Sequence, residues 1–224
     1  MRRSAHTLDP ASMNAKELAI SLRAPLTFRS SLRFPVQSRE SRRDLVIGAL
    51  WLFVPVVGWL LNMGHRVRVV HRMQNGQYPW PAWGEPAELL KHGALTFLGM
   101  MMYGLPGVSL ACLGVWFDLT PLVVVGALLW LAAVVAIPGY MSHYCKVYDP
   151  REIFDPFRAL GRVRQGGLAY WKAWAMVVPL MLLSFAGLLL FGVGFNFTSV
   201  WFWQSAAFSF GTVFTQTFDL DARK

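Results

Sequence analysis

Residues 93–142 read GALTFLGMMMYGLPGVSLACLGVWFDLTPLVVVGALLWLAAVVAIPGYMS, and Asp118 is the only Asp, Glu, Lys, Arg or His among them. A second stretch, 173–218, contains none of these five residue types. A helix needs about 20 apolar residues to cross the hydrocarbon core of a bilayer. Each stretch is long enough for two crossings, so the sequence predicts an all-α, polytopic membrane protein with two tight transmembrane hairpins.

The overall composition agrees with this prediction. Hydrophobic residues make up 55% of the 224 residues and charged residues only 15%, whereas a water-soluble domain has about a quarter charged residues. We therefore expect one transmembrane domain over residues 44–218, preceded by a basic, partly disordered or interfacial arm at 1–43 and followed by a short tail at 219–224. Its predicted membrane segments are about 45–63, 94–116, 119–140, 173–195 and 200–218.

Short polar sequences separate the paired segments. Only Phe117 and Asp118 lie between the second and third segments, and residues 196–199 lie between the fourth and fifth. Neither turn contains Lys or Arg, whereas the connectors 65–92 and 143–172 are basic. Because cytoplasmic loops carry an excess of Lys and Arg, the connectors are predicted to face the cytoplasm. The expected location is the bacterial cytoplasmic membrane, crossed several times.

The first apolar segment, 45–63, is interrupted by Pro55 and Gly58. It is either one kinked crossing helix or a re-entrant pair of half-helices that enter and leave on the same side. If it crosses, the nine basic residues of the arm lie opposite the other twelve of the 21 Lys and Arg. If it is re-entrant, all 21 lie on one side, and this charge bias favours the re-entrant interpretation.

The start of the chain gives no sign of a cleaved export signal. Arg2 and Arg3 are followed by polar residues such as Ser4 and Asp9, whereas an export signal continues into a short apolar core. Met13 is as good a start as Met1.

The second connector has the pattern of an amphipathic helix that starts at Asp149-Pro150, where proline suits the first helical position. At 100° per residue, the basic face contains Arg151 and Arg158, and the apolar face contains Phe157 and Val163. Such a helix suits the inner surface of a membrane, as a general lipid-facing surface or as a specific dock for lipid or protein. Seven arginines are candidate contacts for anionic lipid or a partner: Arg66, Arg68, Arg72, Arg151, Arg158, Arg162 and Arg164.

The first connector carries a recognisable motif. Gly64-His65-Arg66 follows the proline-broken segment, Asn75-Gly76 forms a turn, and Pro81-Ala82-Trp83-Gly84-Glu85 leads to Gly93 at the start of the next segment. This pattern resembles the uncharacterised prokaryotic integral membrane family called domain of unknown function 4013. The resemblance covers about 45–218 and implies a polytopic membrane fold without a known activity.

Several function classes are disfavoured. Ion pumps and proton relays need ionisable groups inside their spans, and the predicted spans have none. His65 and His71 lie on different helix faces, and the two cysteines have no metal or redox spacing. We therefore expect no catalytic, cofactor-binding or metal-binding residues.

The leading hypothesis is a non-enzymatic accessory or membrane-organising protein whose basic cytoplasmic face contacts anionic lipid. The alternative is an oligomeric permease or transporter subunit, with the break between Pro55 and Gly58 as part of its pore. The expected partners are the lipid bilayer and a second copy or another membrane protein. Nucleic acid is not expected despite the net charge of +9, because the topology rule explains that charge.

Overall fold

The computed structural model describes residues 22–220, and every regular element in that range is helical. This confirms the all-α prediction for the described part of the chain. Predicted features at 1–21, including Arg2, Arg3 and Lys16, and at 221–224, including Arg223 and Lys224, lie outside it. The α-helices are α1 (Phe28–Arg33), α2 (Arg39–Trp51), α3 (Val57–Gln74), α4 (Pro86–Trp116), α5 (Thr120–Val147), α6 (Pro156–Ser184) and α7 (Val193–Phe218).

The described part of the N-terminal arm is folded onto α7. The side chains of Thr27 and Ser38 cap α1 and α2 by accepting hydrogen bonds from backbone N–H groups, which satisfies donors that a helix start leaves free. The indole of Trp201 in α7 donates to the Leu32 carbonyl at 3.1 Å. Residues 22–43 therefore cover α7.

The first apolar segment is two helices packed against each other. A break at 52–56 separates α2 from α3, and Asn62 in α3 donates back to a carbonyl of α2 at 3.0 Å. The break includes the predicted Pro55, but Gly58 lies in the first turn of α3. A Cβ atom at Gly58 would lie 1.7 Å from the Trp51 carbonyl oxygen, so glycine is needed there for close packing rather than for the break.

Three helical stretches among residues 22–220 are long and apolar enough to span a membrane: Pro86–Trp116, Thr120–Val147 and Pro156–Leu189. In each, at most 28% of the most apolar window is buried. Soluble monomers rarely expose such extensive apolar surface, which points to a membrane protein. The sequence predicts four full spans, but α7 is not among these three stretches.

The turn between α6 and α7 differs from the prediction. Residues 196–199, predicted to form it, lie inside α7, and the chain turns at 190–192 instead. Phe191 and Gly192 have φ angles of 53° and 76° there, which reverse the chain direction. Thr198 donates to the Ser184 carbonyl at 2.6 Å, so a side chain that looked like part of a loop joins two helices.

Helix α7 is the central helix of the bundle. It contacts α1, α2, α3, α5 and α6, and its second half is almost entirely buried. Its polar side chains bond to neighbouring helices: Ser209 donates to Ser31 at 2.9 Å, and Gln74 donates to Thr215 at 3.3 Å. Interhelical hydrogen bonds of this kind explain why the most enclosed helix is not the most apolar one.

The long helices bring all the connectors to one end of the bundle. In the α4–α5 pair, Gly107 packs against Trp130 and Gly114 against Val123. In the α6–α7 pair, Tyr170 packs against Phe214 and Trp174 against Phe210. Residue numbers rise along one helix as they fall along the other, so each pair is antiparallel. The start of α4, the end of α5, the start of α6 and the end of α7 therefore lie together. We call this the basic end. The turns at 117–119 and 190–192 lie at the opposite end and have no Lys or Arg.

Replacement of Gly107 by Ala should destabilise the α4–α5 hairpin. A Cβ atom there would lie 2.6 Å from the Trp130 backbone nitrogen and 2.7 Å from the Gly126 carbonyl oxygen. We expect a loss of about 1–3 kcal/mol, as for other overpacked sites, measured by unfolding of the detergent-solubilised protein. Gly104→Ala is the matched control because no atom lies within 4 Å of its added Cβ. Equal stability of the two variants would contradict close packing at Gly107.

Candidate functional site

A buried carboxylate joins three segments at the basic end. Asp44 is fully buried near the middle of α2, and its Oδ2 accepts hydrogen bonds from His65 Nε2 at 3.0 Å and the Ala82 backbone N–H at 2.7 Å. Trp83 Nε1 donates to the Asp44 carbonyl oxygen at 2.9 Å. One residue thus connects α2, α3 and the proline-rich loop 77–85. Asp44 is not among the predicted site residues, although an acid beside an apolar block is a usable signal.

His65, the α3 partner of Asp44, has a structural role. Burial lowers the pKa of His65, and the hydrogen bond to Asp44 only partly offsets that effect. His65 is therefore neutral at neutral pH, and its Nε2–H donates to the carboxylate. Its ring also stacks on Trp83, with 4.4 Å between the ring centres. This arrangement fixes the ring in place and makes His65 a structural residue.

Two glycines of the motif, Gly64 and Gly93, allow α3 and α4 to pack closely. A Cβ atom at Gly64 would lie 1.8 Å from the Leu89 carbonyl oxygen, and one at Gly93 would lie 1.9 Å from the Leu60 carbonyl oxygen. Any larger residue would push α3 and α4 apart. The two glycines at the ends of this motif are therefore required for the close packing of α3 against α4.

Two of the predicted lipid contacts, Arg68 and Arg72, point inward. Arg68 donates to the Gly84 carbonyl oxygen and pairs with Glu85 at 3.1 Å. Arg72 donates to two carbonyl oxygens of the same loop, those of Pro79 and Pro81. Because a proline-rich loop has few N–H donors of its own, these guanidinium groups hold it against α3. These bonds within the protein account for both guanidinium groups, and contact of Arg68 and Arg72 with anionic lipid or a partner stays a prediction.

Arg158 and Arg162 are also paired within the protein. Arg158 donates to Glu152 at 3.1 Å, and Arg162 donates to its other carboxylate oxygen. Burial raises the pKa of Glu152, but the hydrogen bonds and charges of both arginines outweigh it, so the pKa lies below its usual value. Of the predicted contacts in this connector, only Arg151 and Arg164 are exposed without a side-chain salt bridge in the described structure.

The predicted start of this amphipathic helix is wrong. A 3₁₀ turn occupies Pro150–Glu152, and α6 begins only at Pro156, where Asp155 caps it. A 100° periodicity counted from Asp149 therefore does not hold beyond the end of the turn. Of the predicted apolar face, Val163 is buried and Phe157 is 87% exposed.

Arg66, the last of the seven predicted contacts, lies between α3 and α7. Its guanidinium carbon is 4.8 Å from the ring centre of Trp203, within the range of a cation–π interaction. Its Nε is buried without a hydrogen-bond partner. Arg66 is therefore separate from the surface formed by Arg151 and Arg164.

An open polar cleft of about 530 Å³ lies at the basic end, between α3, the proline-rich loop, α4 and the end of α5. His92 Nδ1 lies 2.6 Å from the Tyr144 hydroxyl, and the rings of His71 and His92 pack on Tyr148. Burial lowers the pKa of His71. The charged residues in its wall have both signs: Arg68, Arg72, Lys91, Glu85 and Glu88. Over residues 22–220, no His, Cys, Asp and Glu cluster could hold a metal ion.

No family model, curated protein or solved structure matches this chain.

Replacement of Asp44 by Ala should destabilise the fold strongly. It leaves the His65 and Ala82 donors buried without their acceptor, and hydrogen bonds to a charged group contribute about 1.5–3 kcal/mol each. We expect a loss of at least about 3 kcal/mol in denaturant unfolding of the detergent-solubilised protein. Arg43→Ala removes an exposed charge from the same helix and should change stability by less than about 0.5 kcal/mol. If Asp44→Ala behaved like Arg43→Ala, the bonds around Asp44 would not be stabilising.

Proposed function

We propose that this chain is a small, multi-pass, non-enzymatic protein of the bacterial cytoplasmic membrane, and that its basic end docks on anionic lipid headgroups. The observation that carries the proposal is the separation of charge. The basic connectors meet at one end of the bundle, and the turns at the other end have neither Lys nor Arg. A protein that crosses a membrane has this distribution when its basic end faces the cytoplasm.

The exposed arginines define the docking surface. Arg151 and Arg164 are exposed, and so are the apolar side chains of Phe157 and Leu160, which lie about two turns and one turn before Arg164 in α6. A basic residue near an anionic leaflet contributes about 1 kcal/mol to binding. Exposed aromatic and aliphatic side chains next to these charges suit insertion at the headgroup boundary.

We propose that α2 and α3 form a re-entrant hairpin in the membrane. Its break at 52–56 exposes the apolar side chains of Phe53, Val54 and Val56. A hairpin that dips into the membrane and returns keeps the arm on the cytoplasmic side, with all 21 Lys and Arg of the chain. On the motif from Gly64 to Gly93, we propose that the chain is related to the family called domain of unknown function 4013. Gly64 and Gly93, two residues of that motif, allow the close packing of α3 against α4.

Cysteine labelling tests the topology. In a chain without Cys112 and Cys145, Gln37→Cys and Asp118→Cys each place one thiol at an exposed position. Applied to spheroplasts, a membrane-impermeant maleimide should label Asp118→Cys and leave Gln37→Cys unlabelled until the membrane is permeabilised. Labelling of Gln37→Cys from outside would show that the first segment crosses.

Neutralisation of the exposed arginines tests lipid docking. Arg151→Gln with Arg164→Gln should weaken phosphatidylglycerol binding by up to about 2 kcal/mol, or roughly thirtyfold, in native mass spectrometry of the detergent-solubilised protein. Phosphatidylcholine binding should not change. Gln165→Ala, next to Arg164 and also exposed, is the matched control without a charge change. Unaltered phosphatidylglycerol binding in the double variant would contradict the docking surface.

A further inference from the structure

A second cavity lies away from the basic end, between the α2–α3 hairpin and the first half of α7. Its volume is about 220 Å³, and its polar lining includes Asn62, Arg66 and Gln204. The rest of the wall is mainly apolar, with Trp59 and Phe195 among its residues. Neither Arg151 nor Arg164 lines it, so it is distinct from the proposed docking surface.

Gln204, in the wall of this cavity, is a buried polar residue without a hydrogen-bond partner for its side-chain amide. It is only 2% exposed, yet neither its Nε2 nor its Oε1 has a hydrogen-bond partner in the described structure. Nearly all buried polar groups in proteins are paired, and an unpaired one calls for an explanation. Two other polar side chains at the cavity are engaged: Asn62 donates to the carbonyls of Gly48 and Gly58, and the Ser199 hydroxyl donates to the Asn196 carbonyl.

The cavity also has a positive charge at its wall. Arg66 has no acidic partner among the described residues and is held over the ring of Trp203 at 4.8 Å. Its buried Nε is unpaired, as is the Gln204 amide. A guanidinium and an amide N–H₂ are both donors. Together these two donors favour an anion.

The wall toward the outside of the bundle is aromatic. Trp59 is 41% exposed and Trp203 is 45% exposed, so the cavity lies directly behind apolar surface. Pockets for drug-sized ligands have volumes of about 300 Å³ and more, which this cavity does not reach. It holds about seven waters at ~30 Å³ each, enough for one anionic head and the first carbons of a chain. The remaining chain would extend past Trp59 into the bilayer.

We propose that this cavity binds the head of an anionic amphiphile, a carboxylate or phosphate on an alkyl chain, between Arg66 and Gln204. The anion accepts hydrogen bonds from the guanidinium and the amide, and the chain packs against Trp59 and Phe195. This site adds to the lipid docking surface proposed above and does not depend on Arg151 or Arg164. A membrane phospholipid and a free fatty acid both present this chemistry.

Thermal unfolding of the full chain in a neutral detergent tests the site. Dodecanoate and dihexanoyl phosphatidylglycerol are the anionic probes, and dodecanol is the uncharged control. At least one anionic probe should raise the melting temperature in a saturable way, and dodecanol should not. The stronger response identifies the source: dodecanoate indicates a free fatty acid, and phosphatidylglycerol indicates a phospholipid head. No response to either anion, or an equal response to dodecanol, would overturn the proposal.

Variants of the two donors locate the binding. Gln204→Leu removes an unpaired buried amide, so without a probe it should melt at the same temperature as the parent protein or higher. Its affinity for the anionic probe should fall at least about tenfold, since a hydrogen bond to a charged group is lost. Arg66→Gln should lose at least as much. Gln165→Leu, an exposed control, and Arg151→Gln with Arg164→Gln should keep the full response, which separates this test from that of lipid docking.

A purely structural Gln204 predicts the opposite pattern. Gln204→Leu would then melt at a lower temperature without a probe and retain its affinity for the anion. That result would overturn the proposal even if Arg66→Gln failed to fold.

Discussion

The buried carboxylate of Asp44 is the constraint on which the basic end depends. An ionised carboxylate is very costly to bury without hydrogen-bond donors, and here α3 provides one donor and the proline-rich loop another. These bonds set the register of α2 against α3 and hold the loop across both. Gly64 and Gly93 then allow α4 to approach α3 closely. The orientation of the first long helix thus follows from a few contacts around one acid.

The sequence predicts those parts of the fold that follow from the apolar interior of the membrane. Charge-free runs around Asp118 are sufficient to place α4, α5 and the turn between them, because no other structure suits such runs in a membrane. The prediction is wrong where polar residues have partners that the sequence does not reveal. Thr198 looks like part of a turn but bonds to α6. The actual turn at Phe191 and Gly192 has no polar residue to mark it.

The candidate site was predicted less well than the fold, and the reason is physical. Periodicity assumes one continuous helix, so the interruption between Glu152 and Pro156 invalidates any face drawn across it. The positions of Arg151 and Arg164 on the surface were predicted. The burial of Asp44 was not, because it depends on long-range contacts with α3 and the loop. Gln204 lies inside the predicted segment 200–218, but its lack of a hydrogen-bond partner was not predicted.

The arginines show why a count of charges is incomplete as a guide to function. A proline-rich loop has carbonyl acceptors in excess of N–H donors, and a guanidinium with five donors satisfies several of them at once. Arg68 and Arg72 do this for the loop, so part of the basic character of the first connector reflects folding rather than lipid contact. The same reasoning gives Arg66 its significance. Unlike Arg68 and Arg72, which donate to the loop, Arg66 has an unpaired Nε and lines a cavity with the unpaired amide of Gln204, where an anion from outside the chain would accept hydrogen bonds from both.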